Sequence, residues 1–166
     1  MRTGIALGSN LGDRLANLRA GRDAVLALSG VSGRLLASRV YETEPVGTGP
    51  DAGAFLNAVI EVSFAGEPHE LLAGLQQIES AMGRPSRRPR NAPRTLDLDI
   101  LYMGERVVAE AELEIPHPRL QLRRFVLQPL HDIRPSLLLP GWKSTVGELF
   151  RTLADPAAVA EFVHDW

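Results

Sequence analysis

The chain has 166 residues, a formal net charge of −2 and no cysteine. That length suits one domain with a real core, the missing thiols exclude a disulfide framework and cysteine chemistry, and the near-neutral balance argues against a general nucleic-acid binder. No stretch has the apolar run of a signal peptide or a membrane span, so a soluble cytoplasmic protein is expected.

Residues 3–7 read as a short buried strand, and Gly8-Ser9-Asn10-Leu11-Gly12-Asp13 turns the chain. From Asp13, Leu15, Leu18, Val25 and Leu26 recur at helical spacing and predict a helix to about Ser29, ended by Gly30 and Gly33. Residues 35–41 read as a second strand, 43–53 as a loop rich in glycine and proline, and 55–64 as a third strand. Pro68 suits the first turn of a second helix, carried by Leu71, Leu72, Leu75, Ile78 and Met82 and stopped at Gly83. An arginine-rich loop follows, with Arg84, Arg87, Arg88, Arg90 and Arg94, and leads into a strand containing Asp97-Leu98-Asp99. Met103-Gly104-Glu105-Arg106 reads as a hairpin turn into Val107-Val108. Prolines keep Ile115-Pro116-His117-Pro118 extended. Residues 122–131 read as helical, Thr145 and Glu148 form a capping box for a helix over 146–153, and Pro156 opens a short terminal helix. This order predicts an α+β fold of ferredoxin-like type. Its sheet is mostly antiparallel, with helices packed on its faces, in one domain spanning 1–166.

The chemistry concentrates in Pro93-Arg94-Thr95-Leu96-Asp97-Leu98-Asp99-Ile100. Alternation sends Leu96, Leu98 and Ile100 to one face of the strand and Asp97 and Asp99 to the other. Two acids on one face repel, and a divalent cation removes that repulsion; hard oxygen ligands suit Mg²⁺. Taken alone, the pair could equally be two ordinary acids on a solvent-facing edge. The guanidiniums just before it turn the balance towards a polyphosphate site. A solvated charge run or an RNA-binding patch would explain the arginines too, but residues 84–94 hold no aromatic for base stacking. His117, held between two prolines and followed by Arg119, Arg123 and Arg124, suits a phosphate hydrogen bond. Asn57 sits in an apolar strand and needs partners; it either bridges backbone or reads a flat heterocycle. Phe55 shares its face, and Phe125 reads first as core. Gly47-Thr48-Gly49 is followed by Pro50 rather than a helix, so it is no dinucleotide fingerprint.

In chain order, Gly8-Ser9-Asn10-Leu11-Gly12, Tyr41-Glu42-Thr43-Glu44-Pro45, Phe55-Leu56-Asn57, the Pro-Arg-Thr-Leu-Asp-Leu-Asp run and Pro116-His117-Pro118 resemble the 6-hydroxymethyl-7,8-dihydropterin pyrophosphokinases of folate biosynthesis. The resemblance implies a ferredoxin-like fold and transfer of pyrophosphate from ATP to the pterin hydroxymethyl group, leaving AMP. It implies two Mg²⁺ ions on Asp97 and Asp99, with Arg94, His117 and Arg123 on the triphosphate, Gln76 and Glu79 facing the nucleotide, and Arg84 as a loop arginine. Asn57 and backbone groups around Thr43, Pro45 and Val46 would read the pterin edge, with Phe125 stacked on one ring face and Phe55 where many members have Tyr. Ser86 and Asn91 depart from the family, which places a second arginine and, in some members, a tryptophan there. A monomer acting on ATP and the pterin, with no nucleic acid or membrane, is expected. Two rivals make different predictions. Another Mg²⁺-dependent kinase would yield ADP, and an RNA-binding module would need neither Mg²⁺ nor pterin.

Overall fold

Two strands buried on both faces build the centre of a sheet. The computed structural model describes residues 1–44, 53–83, 94–154 and 158–166. In it β1 (Arg2–Ser9) pairs antiparallel with β4 (Phe55–Phe64), in register from Arg2 opposite Ser63 to Ser9 opposite Leu56. On the other side of β1 lies β5 (Asp97–Met103), while β2 (Val31–Ala37) and β3 (Val40–Thr43) both pair with β4, all antiparallel. A short separate ladder joins β6 (Val108–Ala109) to β7 (Glu114–Ile115). The last strand, β8 (Val159–Val163), covers the outer edge of β3, giving the order β5-β1-β4-β3-β8 with β2 beside β4.

Helices cover both faces. On one side α1 (Arg14–Leu26) and α2 (Pro68–Ala81) bury Leu18, Val25, Leu71 and Leu75 against Ile5, Leu7, Ile60, Leu98 and Ile100. Each such side chain contributes roughly 1.5–3 kcal/mol when fully buried. α1 starts where Asp13 Oδ1 accepts the Ala16 N–H at 3.0 Å, and α2 starts at Pro68 with a Glu67–Glu70 capping box. Gly83, at φ +89°, follows α2 in the left-handed region that favours glycine. On the opposite face α3 (Arg124–Ile133) and α4 (Val146–Thr152) pack Val126, Leu127, Leu130 and Val146 over Val59, Leu101 and Tyr102. The expected Thr145–Glu148 capping box is present.

Four local expectations change. The strand expected over 35–41 is two strands, because Ser38 interrupts it: its N–H donates to the Val59 carbonyl and its Oγ accepts the Val59 N–H, both at 2.9 Å. The turn after β5 does not return onto β5. The Leu101 carbonyl takes the His117 N–H at 2.9 Å, and β6 pairs with β7 instead. The helix expected over 122–131 starts at Arg124, after a 3-10 turn at Leu120–Leu122. The terminal helix expected from Pro156, itself outside the described residues, gives way to strand β8. Its extended backbone pairs with the open backbone groups of the β3 edge.

Candidate active site

Strand register assembles the site. Tyr41, Asn57, Gly8 and Asp97 are successive partners across β3, β4, β1 and β5. Val59, Ala6 and Asp99 form the next row, and Thr43 lies opposite Phe55. Directly opposed residues of an antiparallel ladder share a face. Val59 and Ala6 pack into the core beneath α3 and α4, so all three rows stand on that face. The carboxylates alternate with buried Leu98 and Ile100, as the sequence predicts. Residues distant in sequence, an amide and a carboxylate, thus flank Gly8. A Cβ on Gly8 would sit 3.4 Å from Asn57 Oδ1 and 3.9 Å from Asp97 Cβ. The missing side chain leaves a low floor between them.

Each side chain is held by named partners. Asn57 Nδ2 donates to Thr43 Oγ1 at 2.8 Å, a buried bond that orients the amide. Arg94 forms an ion pair with Asp97. The backbone of Arg94 is fixed in turn by Asn10: the Asn10 N–H donates to the Arg94 carbonyl at 3.1 Å, and the Arg94 N–H donates to Asn10 Oδ1 at 2.7 Å. Between the two aspartates, the Leu98 N–H donates to Glu79 Oε1 at 2.8 Å. Glu79 is therefore buried against β5, while Gln76, one turn earlier on α2, is exposed.

The Leu101 hydrogen bond to its N–H lays His117 alongside β5. Burial first, then the charges of Arg123 and Arg119, push the imidazole pKa down to about 4, so the ring is neutral near pH 7. Its Nδ1 accepts the Arg119 N–H at 3.1 Å, which puts the proton on Nε2. Arg123 is held below the usual guanidinium range by burial and by Arg119, against the pull of Asp99 and Asp97; it belongs to the same electrostatic cluster and stays charged. Its guanidinium lies 5.4 Å from the centre of the Phe125 ring, which packs against the core under α3.

Arg84, Pro45 and Val46 lie outside the described residues. Of the remaining expected site residues, Thr43, Phe55, Asn57, Asp97, Asp99, Arg94, His117, Arg123 and Phe125 belong to one face of the sheet or to the segments flanking it, and Glu79 supports β5 from α2. Two contributors received no role from sequence reasoning: Asn10, which fixes Arg94, and Gly8, which forms the floor. The signal for both was the Gly-Ser-Asn turn ending β1.

The donor chemistry fits Mg²⁺. Asp97 and Asp99 are hard oxygen donors beside guanidiniums, and among the described residues no cluster of three or more His, Cys, Asp or Glu could hold a metal. Mg²⁺ typically takes one or two protein carboxylates and completes its shell with waters and phosphate oxygens. The arrangement can therefore hold a metal-bound polyphosphate above Asp97 and Asp99 and a flat polar ring beside Asn57.

Comparison with known proteins bears on the family and the fold. Residues 4–135 match the model of the 7,8-dihydro-6-hydroxymethylpterin-pyrophosphokinase family. A Bacillus subtilis protein named 2-amino-4-hydroxy-6-hydroxymethyldihydropteridine pyrophosphokinase is 40% identical over 161 residues, 96% of this chain and 95% of that one. An Arabidopsis thaliana folate synthesis bifunctional protein is 44% identical over 133 residues, 78% of this chain but 26% of its own length. Among solved structures, wild-type Plasmodium falciparum HPPK-DHPS with pteroate aligns at a TM-score of 0.68 and 15% identity, over 90% of this chain and 42% of that one. At that identity the likeness speaks for the fold, α+β with an antiparallel sheet.

Proposed function

The chain belongs to the 7,8-dihydro-6-hydroxymethylpterin-pyrophosphokinase family, and we propose that the sheet face bearing Asn57, Gly8, Asp97 and Asp99 is where its two substrates meet. The reaction transfers pyrophosphate from ATP to the hydroxymethyl group of 6-hydroxymethyl-7,8-dihydropterin, releases AMP and serves folate biosynthesis. The observation that supports this reading is the Asn57–Gly8–Asp97 row, which sets the Asn57 amide beside the Asp97 carboxylate.

In this proposal Asn57 and the backbone of Thr43, Pro45 and Val46 read the pterin edge, with Phe55 and Phe125 against its ring. Arg84, Arg94, His117 and Arg123 hold the triphosphate, and Gln76 and Glu79 reach the nucleotide from α2 around the outer edge of β5. Asp97 and Asp99 would hold two Mg²⁺ ions, which when bound neutralise charge on the phosphate oxygens. The pterin oxygen bonds to the β-phosphorus as the bond from that phosphorus to the oxygen shared with the α-phosphorus breaks. That oxygen leaves with AMP, and the hydroxyl proton passes to solvent. Neutral His117 donates from Nε2 without adding charge, while Arg94 and Arg123 supply fixed positive charge where negative charge gathers. Positioning and electrostatics suffice, so no side chain is assigned as general base. We further take residues 1–166 to be one domain working as a cytoplasmic monomer on these small substrates, without nucleic acid or membrane. The near-neutral charge and modest length support this; among the described residues no helix is long and apolar enough to cross a membrane.

The test is a turnover assay with ATP, Mg²⁺ and the pterin, with nucleotide products separated by chromatography. AMP is expected, and ADP would overturn the reaction. Asp97→Asn is expected to cut turnover by at least about 100-fold with an unchanged melting temperature; normal turnover would overturn the site.

A further inference from the structure

Arg14, the first residue of α1, lies on the face of the sheet opposite the site. Its Nη1 donates to the Ala54 carbonyl at 2.7 Å and pairs with Glu42 Oε2 at 2.6 Å. Glu42 immediately precedes Thr43, and Ala54 immediately precedes Phe55. Thr43 opposite Phe55 is the last pair of the β3–β4 ladder. One guanidinium thus ties the two strands together where their own hydrogen bonds run out. It also lies 5.8 Å from the centre of the Phe162 ring, gathering the edge strand β8 to the same point. The start of α1 is itself anchored next to Gly8: Asn17 Nδ2 donates to the Leu11 carbonyl at 2.8 Å and to Ser9 Oγ at 3.2 Å.

We propose that Arg14 is a positioning residue for the pterin. It sets the spacing of Thr43 against Phe55 and, through the ladder, the placement of Asn57. This rests on the assignment of those three residues to the pterin. Along β3, Glu42 alternates with Tyr41 and Thr43, so the clamp works from behind the sheet and touches no ligand. Ladder ends are the parts of a sheet that open most easily, and recognition by a few polar atoms depends on how firmly they are held. A half-exposed ion pair adds little to global stability. The effect of the clamp therefore falls on substrate recognition rather than on folding.

The experiment is steady-state kinetics with each substrate varied in turn, alongside thermal melts. Arg14→Ala is expected to raise KM for 6-hydroxymethyl-7,8-dihydropterin roughly ten-fold, leaving KM for ATP, kcat at saturation and the melting temperature unchanged. Glu42→Gln, whose amide keeps a neutral hydrogen bond, is expected to raise the pterin KM less. The double variant is expected to be no worse than Arg14→Ala alone. An unchanged pterin KM in Arg14→Ala, equal rises for both substrates, or additive effects in the double variant would each overturn the proposal. Asn57→Ala separates the two levels. If it raises the pterin KM while Arg14→Ala does not, the clamp alone is wrong; if it does not, the pterin site is wrong and the clamp falls with it.

Discussion

Gly8 shows what a single residue decides. Its φ lies outside the left-handed region, so backbone freedom does not account for it; the space above it does. Alanine there would meet Asn57 and Asp97 at ordinary van der Waals distance, so the fold tolerates a small side chain. A branched one would rise between the Asn57 amide and the Asp97 carboxylate, the two ends of the proposed site. Gly8→Val is expected to lower kcat/KM for the pterin by about 100-fold, since small misplacements in a catalytic site carry costs of that order. Kinetics alongside a melting curve check this, and unchanged kinetics would remove Gly8 from the site. Gly4 makes the contrast on the same strand. A Cβ there would collide with the Tyr102 ring, so its smallness serves packing. Sequence alone shows glycine at both positions; only the neighbours tell the two uses apart.

At the scale of the element, α3 carries Phe125 at its N-terminal end, towards the proposed site, and is locked to the sheet at its C-terminal end. Tyr41 Oη donates to Asp132, 2.8 Å from Oδ2, and burial, then that bond, pushes the Tyr41 pKa up to about 12. Arg134 Nε donates to Glu61 Oε2 at 2.9 Å, and Tyr102 Oη donates to the same oxygen at 2.5 Å. Burial pushes the Glu61 carboxyl up, but these two donors outweigh it and leave it below the usual carboxylate range. Removing Arg134 strands a buried carboxylate. Arg134→Ala is expected to destabilise the protein by about 2 kcal/mol, below the usual penalty for a fully buried pair because Arg134 is partly solvated. A urea titration with an unchanged m-value checks this. Hydrophobic periodicity announces that α3 exists, but not which of its ends is locked to the sheet, because the residues that lock it come from β3, β4 and β5.

At the scale of the whole molecule, His117 couples folding to pH. Its folded pKa is about 4 against an ordinary 6.5, so between those values the unfolded chain binds the extra proton more readily. Stability therefore rises with pH from about 4 to 6.5 and this contribution is complete above that window. Urea midpoints at pH 4.5 and pH 7 are expected to differ more for the wild type than for His117→Gln. Equal differences would mean that the imidazole charges as readily folded as unfolded.

The sequence by itself determined the α+β class, the burial of Leu18 and Val25 on α1 and of Leu71 and Leu75 on α2 (Leu26, expected with them, is exposed), the ends of α2 at Pro68 and Gly83, the capping box of α4, and the sidedness of Asp97 and Asp99. All of these follow from local rules of period, cap and turn that a short window contains. Tertiary structure decided the rest. It set Asn57 beside Asp97 across Gly8, joined Asn10 to Arg94, took the hairpin partner from β5, and made the C-terminal segment a strand instead of a helix. Each depends on which backbone donors and acceptors another segment leaves open and on the register of strands far apart in the chain, and neither is written in any local stretch of residues.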